Sequence, residues 1–290
     1  MRLILSLLFV IPLLAGGVAA EPARITAVTG PLAAIAGDIA GDVAQVDYPV
    51  PPETDPALWR PAVADVTRIQ ESDLILLNGA GLSAWTAKTS LPRSRTVDTS
   101  RQFKDALIET EMAVTHSHGT EGEHSHTGTA PQVWMDFSLA ALQAEAIATA
   151  LKRAFPQEQA GLAQRAETVQ DRLAVFHTRA TTLGTILQGK TVLVAHPGLE
   201  YFLRAYGITP QQLGWTPGTA PDPLELDDLV TEFNPVLIFW QIEPTAAARE
   251  AMQTRGIVSV VLDPAADDPD AYWSIMDSNL NALEAAVANM

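Results

Sequence analysis

The sequence predicts an α/β protein of two parallel-sheet lobes joined by one long rigid helix. Three observations carry that reading. Short apolar runs alternate with helix-patterned segments along the 290-residue chain, and such alternation argues for parallel sheets covered by helices. The alternation occurs twice, once in each half. Between the halves, Leu162, Ala166, Val169, Leu173, Phe176, Ala180, Leu183 and Leu187 recur at spacings of four and three, the stripe of one continuous helix with a single buried face.

The first element, residues 1–20, reads "MRLILSLLFVIPLLAGGVAA", with one basic residue, an apolar run, and small residues at Val18 and Ala20. That is the pattern of a cleavable secretory signal. The chain has no cysteine, so neither a disulfide nor a lipid-bearing cysteine is expected. The expected location is therefore the periplasm, without a lipid anchor. Residues 21–155 form the expected first lobe, with strand patterns at "RITAV", "AQVDYPV", "DLILLN" and "RTVD". Residues 156–188 hold the linking helix; from Leu162 to Leu187 it spans roughly 37 Å at about 1.5 Å per residue. Gly189 stands where a C-terminal cap belongs. Ala at two positions of the stripe argues against a coiled-coil dimer, and a monomer is expected. Residues 189–290 form the second lobe. Its strand patterns are "TVLVAH", "QQLGW", "PVLIFW" and "VSVVLD", separated by the helical stretches "LEYFLRAYG", "LELDDLVTEF" and "TAAAREAMQTRG".

The charge excludes some partners. Eighteen basic residues face 34 acidic ones, a formal net charge of −16. Such a field repels nucleic acid and anionic lipid and attracts cations. Enzyme signatures are also missing: there is no H-E-x-x-H and no G-x-S-x-G, and no enzyme is expected. "NGAGLSAW" matches G-x-G-x-x-A through Gly79, Gly81 and Ala84, with Asp98 at the end of a later strand. The helix that a dinucleotide fold requires is cut short by "TSLPRS", so a tight turn is the better reading.

Two residues stand where a ligand-binding crevice would form. His196 ends "TVLVAH" and Asp263 ends "VSVVLD", and open parallel sheets bind ligands at the carboxyl ends of their strands. An imidazole and a carboxylate both suit Zn²⁺; a helix cap or a structural hydrogen bond is the alternative for either. His177, beside Phe176 on the linking helix, reads as a packing or surface histidine. The segment 115–127, containing "THSHGTEGEHSH", gathers His116, His118, His124 and His126 without apolar periodicity. It reads as a loop whose two His-x-His pairs are expected to chelate metal as auxiliary donors, with a merely solvated loop as the alternative.

Several segments together resemble one family. "DPALWRP" with "ESDLILLNGAGLSAW", then "APQVWMDF", "LVAHPGLEYFLRAYGI", "PDPLELDDL", and "VVLDP" before "YWSIMDSNLNALEAAV" are similar to the zinc/manganese-type periplasmic solute-binding proteins of ABC metal importers. The likeness spans nearly all of the chain after the leader. The resemblance implies two lobes on a rigid helix and a divalent metal held between them, zinc preferred, with Mn²⁺ or another divalent ion as the alternative. It implies delivery to an ABC permease, and a periplasmic metallochaperone as a further partner. It also implies four metal ligands: His196 and Asp263 match two of them. The other two positions hold Ala57, after Asp55-Pro56, and Gln132, after Ala130-Pro131. Alanine has no donor atom and an amide is a weak zinc ligand. Three substitutes for the lost imidazoles are open: the loop histidines, nearby acids such as Glu53, Asp55 or Asp136, or a change of role to a metal-scavenging or partner-binding protein.

Overall fold

The computed structural model describes residues 22–52, 54–110, 128–216, 218–219, 221–288 and 290. The expected leader and the histidine loop lie outside them. The first lobe opens with β1 (Ala23–Ala27), α1 (Gly30–Ala40) and β2 (Ala44–Asp47), followed by α2 (Val63–Gln70), β3 (Leu74–Leu77) and β4 (Thr96–Asp98). These strands form a parallel sheet in the order β2-β1-β3-β4. A two-residue antiparallel pair, β5 (Glu109–Thr110) with β6 (Gly128–Thr129), closes the base of the histidine segment. Next come α3 (Phe137–Ala154) and the linking helix α4 (Gln159–Leu187). The second lobe comprises β7 (Val192–Val194), α5 (Glu200–Ala205), β8 (Pro210–Gln212), α6 (Pro223–Phe233), β9 (Leu237–Trp240), α7 (Ala246–Gln253), β10 (Val258–Val261) and α8 (Tyr272–Ala288). Its sheet is parallel, in the order β10-β9-β7-β8. The two predicted sheets and the linking helix are all present.

Four helices begin where the sequence supplies a side-chain acceptor for their free N–H groups. The Asp136 carboxylate accepts from the amides of Ser138 and Leu139 at the start of α3, Asp222 serves α6, and the Thr29 and Thr245 hydroxyls serve α1 and α7. The helix α4 buries Leu162, Val169, Leu173, Phe176, Ala180, Leu183 and Leu187, with Ala166 partly buried. The predicted stripe is its buried face. Gly189 takes the left-handed conformation that ends it. At one end Arg165 donates to the carbonyls of Ile39 and Ala40 on α1, at 2.7 and 3.0 Å. Further along, Arg179 grips Glu284 of α8 with two nitrogens, at 2.8 and 3.0 Å. The helix is thus tied to both lobes.

Several elements are shorter than their patterns. The run "QQLGW" extends as β8 only to Gln212, because Gly214 turns the chain with φ +65°. Its continuation still bonds the centre of the sheet: the Trp215 amide donates to the Ala195 carbonyl at 2.9 Å. The helix expected over "LEYFLRAYG" is the six-residue α5. One apolar cluster runs from Ile25 and Leu74 through Phe137 and Phe176 to Val192, Phe239 and Trp273. The lobes therefore share a core through α4.

Candidate functional site

The carboxyl edge of the second sheet carries three polar side chains. His196 lies two residues past β7 and Asp263 two past β10, with Gln241 directly after β9 between them. The strand rule that singles out His196 and Asp263 applies equally to Gln241, which the sequence reading passed over.

His196 is only 5% exposed. Its Nδ1 lies 2.8 Å from the Trp215 carbonyl oxygen. A carbonyl can only accept, so Nδ1 carries the proton and Nε2 keeps its lone pair. This arrangement is how proteins orient a metal-ligating histidine. Trp215 is itself held by its indole N–H, which donates to Glu225 at 2.8 Å, and the Trp240 ring stands 6.1 Å from the imidazole.

Asp263 sits in a rigid loop. Its amide donates to the Asn279 side-chain oxygen, and the Asn279 side-chain nitrogen donates back to the Asp263 carbonyl, at 3.0 and 2.7 Å. One carboxylate oxygen accepts from the Ala265 amide at 2.7 Å. Burial pushes this carboxyl above the usual range; the Ala265 N–H opposes that, while the charges of Asp267 and Asp268 add to it. The first lobe clamps the same loop: the Trp134 indole donates to the Pro264 carbonyl at 2.7 Å, and the Gly30 amide donates to Ala266 at 2.9 Å.

Gln132 comes from the first lobe, two residues before Trp134. A buried network fixes its backbone: Asn78 donates to the Pro131 carbonyl at 2.9 Å, and Gln143 donates to Asn78 at 3.1 Å and Thr99 at 2.9 Å. Its side-chain oxygen is buried and has no hydrogen-bond partner among the described residues. Ala57 lies in the turn after Asp55, and its amide donates to the Asp55 carboxylate at 2.8 Å.

The loop from His196 into α5 adds a residue that no strand-end rule would find. Glu200 accepts from the Gly198 amide at 2.8 Å through one oxygen, and its other oxygen is buried without a partner among the described residues. The loop presses so closely on Gln241 that a Cβ on Gly198 would stand 2.4 Å from the Gln241 side-chain nitrogen; that nitrogen also lacks a partner. The reading of 199–207 as plain helix concealed Glu200.

The remaining sequence candidates separate. Asp136 is occupied as the cap of α3. Asp55 accepts the Ala57 amide and lies near enough to Tyr48 to raise its hydroxyl, after burial and Asp267. His177 packs against Tyr206, ring centroids 5.6 Å apart. Asp98 accepts from the Ser100 amide and hydroxyl, and only a five-residue 3-10 helix follows the glycine turn, so no dinucleotide site forms there. Glu53 and the loop histidines His116, His118, His124 and His126 lie outside the described residues. Among the described residues, no three His, Asp or Glu side chains are grouped closely enough to hold one ion, and no helix is long and apolar enough to cross a membrane.

Residues 25–286 match the family model described as zinc-uptake complex component A, periplasmic. The chain is 26% identical over 265 residues to the zinc-binding lipoprotein AdcA of Streptococcus pneumoniae, covering 85% of this chain and 52% of that one. It is 23% identical over 289 residues to the manganese ABC transporter substrate-binding lipoprotein ScaA of Streptococcus gordonii, covering 91% and 89%. The chain spans 61% and 52% of the length of two of the curated relatives it matches. Among solved structures, the metal-dependent lipoprotein YcdH of Bacillus subtilis superposes with a TM-score of 0.75 at 18% identity, over 91% of this chain and 99% of that one. That likeness shows the fold.

Proposed function

The chain belongs to the periplasmic zinc-uptake component A family, a family of metal-transport binding proteins and not of enzymes, and on that premise we propose that it captures a divalent metal ion between its lobes for an ABC permease. His196 and Asp263 supply the two donors of the second lobe, and zinc is the first candidate ion. The observation that carries the reading is the His196 imidazole, whose proton is fixed on Nδ1 by the Trp215 carbonyl and whose Nε2 is left to bind metal. Gln132 takes the place of one lost imidazole and Ala57 that of the other.

The segment 115–127 serves this site as an auxiliary collector through His116, His118, His124 and His126. The protein works as a periplasmic monomer freed of its leader; the two relatives above carry the name lipoprotein. Zinc titration of the mature protein tests the assignment. His196→Ala should weaken binding beyond the roughly 10–100-fold that loss of a supporting partner brings, whereas deletion of 115–127 should lower capacity for weakly held ions. High-affinity zinc binding that survives His196→Ala would remove the basis for this site.

A further inference from the structure

Two buried oxygen acceptors lack partners among the described residues: the side-chain oxygen of Gln132, from the first lobe, and the second carboxylate oxygen of Glu200, from the second lobe and four residues after His196. The 3-10 turn that follows Gln132, Val133–Met135, packs against α5, which Glu200 begins. Trp134 in that turn bonds the residue after Asp263, so the two acceptors belong to the same interlobe region as the expected ligands. A buried acceptor, and above all a charged one, is costly to leave unsatisfied. Within this region the donor side chains do not meet that need: Gln241 has an unpartnered nitrogen, yet it bonds neither acceptor. A cation bound in this region would give such acceptors a partner.

Resting on the proposed function, we infer that Glu200 is a metal ligand of this chain, replacing an imidazole lost from the first lobe, with the Gln132 amide oxygen as a weaker fourth donor. Glu200 stands four residues after His196, and its carboxylate is at present held by the Gly198 amide. No three-donor group is assembled in this conformation, so the site forms when Glu200 turns from Gly198 toward the ion. Gly198 has no room for a side chain against Gln241, so the loop that carries Glu200 lies close against the residue that follows β9. The resulting set is one imidazole nitrogen and three oxygens. Oxygen donors suit harder ions such as Mn²⁺, and imidazole suits Zn²⁺ and Ni²⁺. The site should therefore discriminate less sharply between zinc and manganese than one built on three histidines.

The test is titration of the metal-free mature protein with Mn²⁺ and with Zn²⁺, comparing wild type, Glu200→Gln and Glu200→Asp. Glu200→Gln should weaken Mn²⁺ binding at least about tenfold, the smallest loss expected for a group that supports a metal site, and weaken Zn²⁺ binding less. Glu200→Asp, which keeps the charge but shortens the reach, should fall between. The Mn²⁺ electron paramagnetic resonance spectrum should change with Glu200→Gln, and the thermal unfolding midpoint of the metal-free protein should not fall. Unchanged affinities and an unchanged Mn²⁺ spectrum in Glu200→Gln would overturn the inference while leaving metal capture intact. Failure of the wild type to bind either ion would instead overturn the proposed function, and this inference with it.

Discussion

At the residue scale the site depends on how individual side chains are held before any ion arrives. His196 has one nitrogen committed to Trp215, which fixes the tautomer and the ring plane. Asp263 is raised chiefly by burial. A carboxyl raised in the folded state favours folding while it is protonated. That contribution is complete below the unfolded carboxylate range and is lost as pH climbs through the raised folded value. Metal-free wild type should accordingly lose stability relative to Asp263→Asn as pH rises through that window. Unfolding midpoints of both proteins across mildly acid pH check this, and a pH-independent difference would contradict the raised carboxyl. Binding an ion requires the anion, so metal affinity should weaken on acidification over the same window.

The element scale is governed by α4. Its amphipathic stripe was legible because a helix with one buried face leaves a 3.6-residue period in the sequence. Gly184 was not legible in the same way. A Cβ there would stand 2.0 Å from the Tyr206 carbonyl oxygen just after α5, so α4 can approach the second lobe only through a glycine. Gly184→Ala should destabilise the fold by about 1–3 kcal/mol, the usual cost of overpacking, despite alanine's higher helix propensity. Urea denaturation measures it; a neutral or stabilising result would show that α4 and α5 can separate without cost. The same contrast separates Asp136 from Glu200. Asp136 could be taken for a metal donor from sequence, but one oxygen of its carboxylate takes the Ser138 and Leu139 amides in the first turn of α3, whereas Glu200 looked like an ordinary helix residue and has a buried oxygen without a partner among the described residues.

For the whole molecule, the decisive feature is that the lobes do not depend on α4 alone for contact. Trp134 and Gly30 bond the Asp263 loop, and the Tyr206 and Tyr201 hydroxyls accept from the amides of Phe137 and Ile108, both at 3.1 Å. A shared core fills the space between. Closely packed interiors resist gradual deformation, so capture and release should involve the 196–200 loop and not wide hinge closure. Small-angle X-ray scattering should find the radius of gyration of metal-free and metal-loaded protein equal to within about 1 Å, the scale on which preorganised surfaces move. A larger contraction on loading would point to hinge motion.

Local periodicity is written in consecutive residues, which is why the sequence by itself determined the two parallel sheets, the long helix, the acidic character and the placement of His196 and Asp263 at strand ends. The expectation that Ala57 and Gln132 stand where the resemblance puts imidazoles also came from the sequence. Only the tertiary structure decided that Trp215 sets the His196 tautomer, that Asp136 is a cap, and that Gln132 and Glu200 hold buried oxygens without partners in one region. Those facts depend on contacts between residues distant in the chain or on the precise course of a loop, and hydrogen bonding is satisfied or left open only when such segments pack.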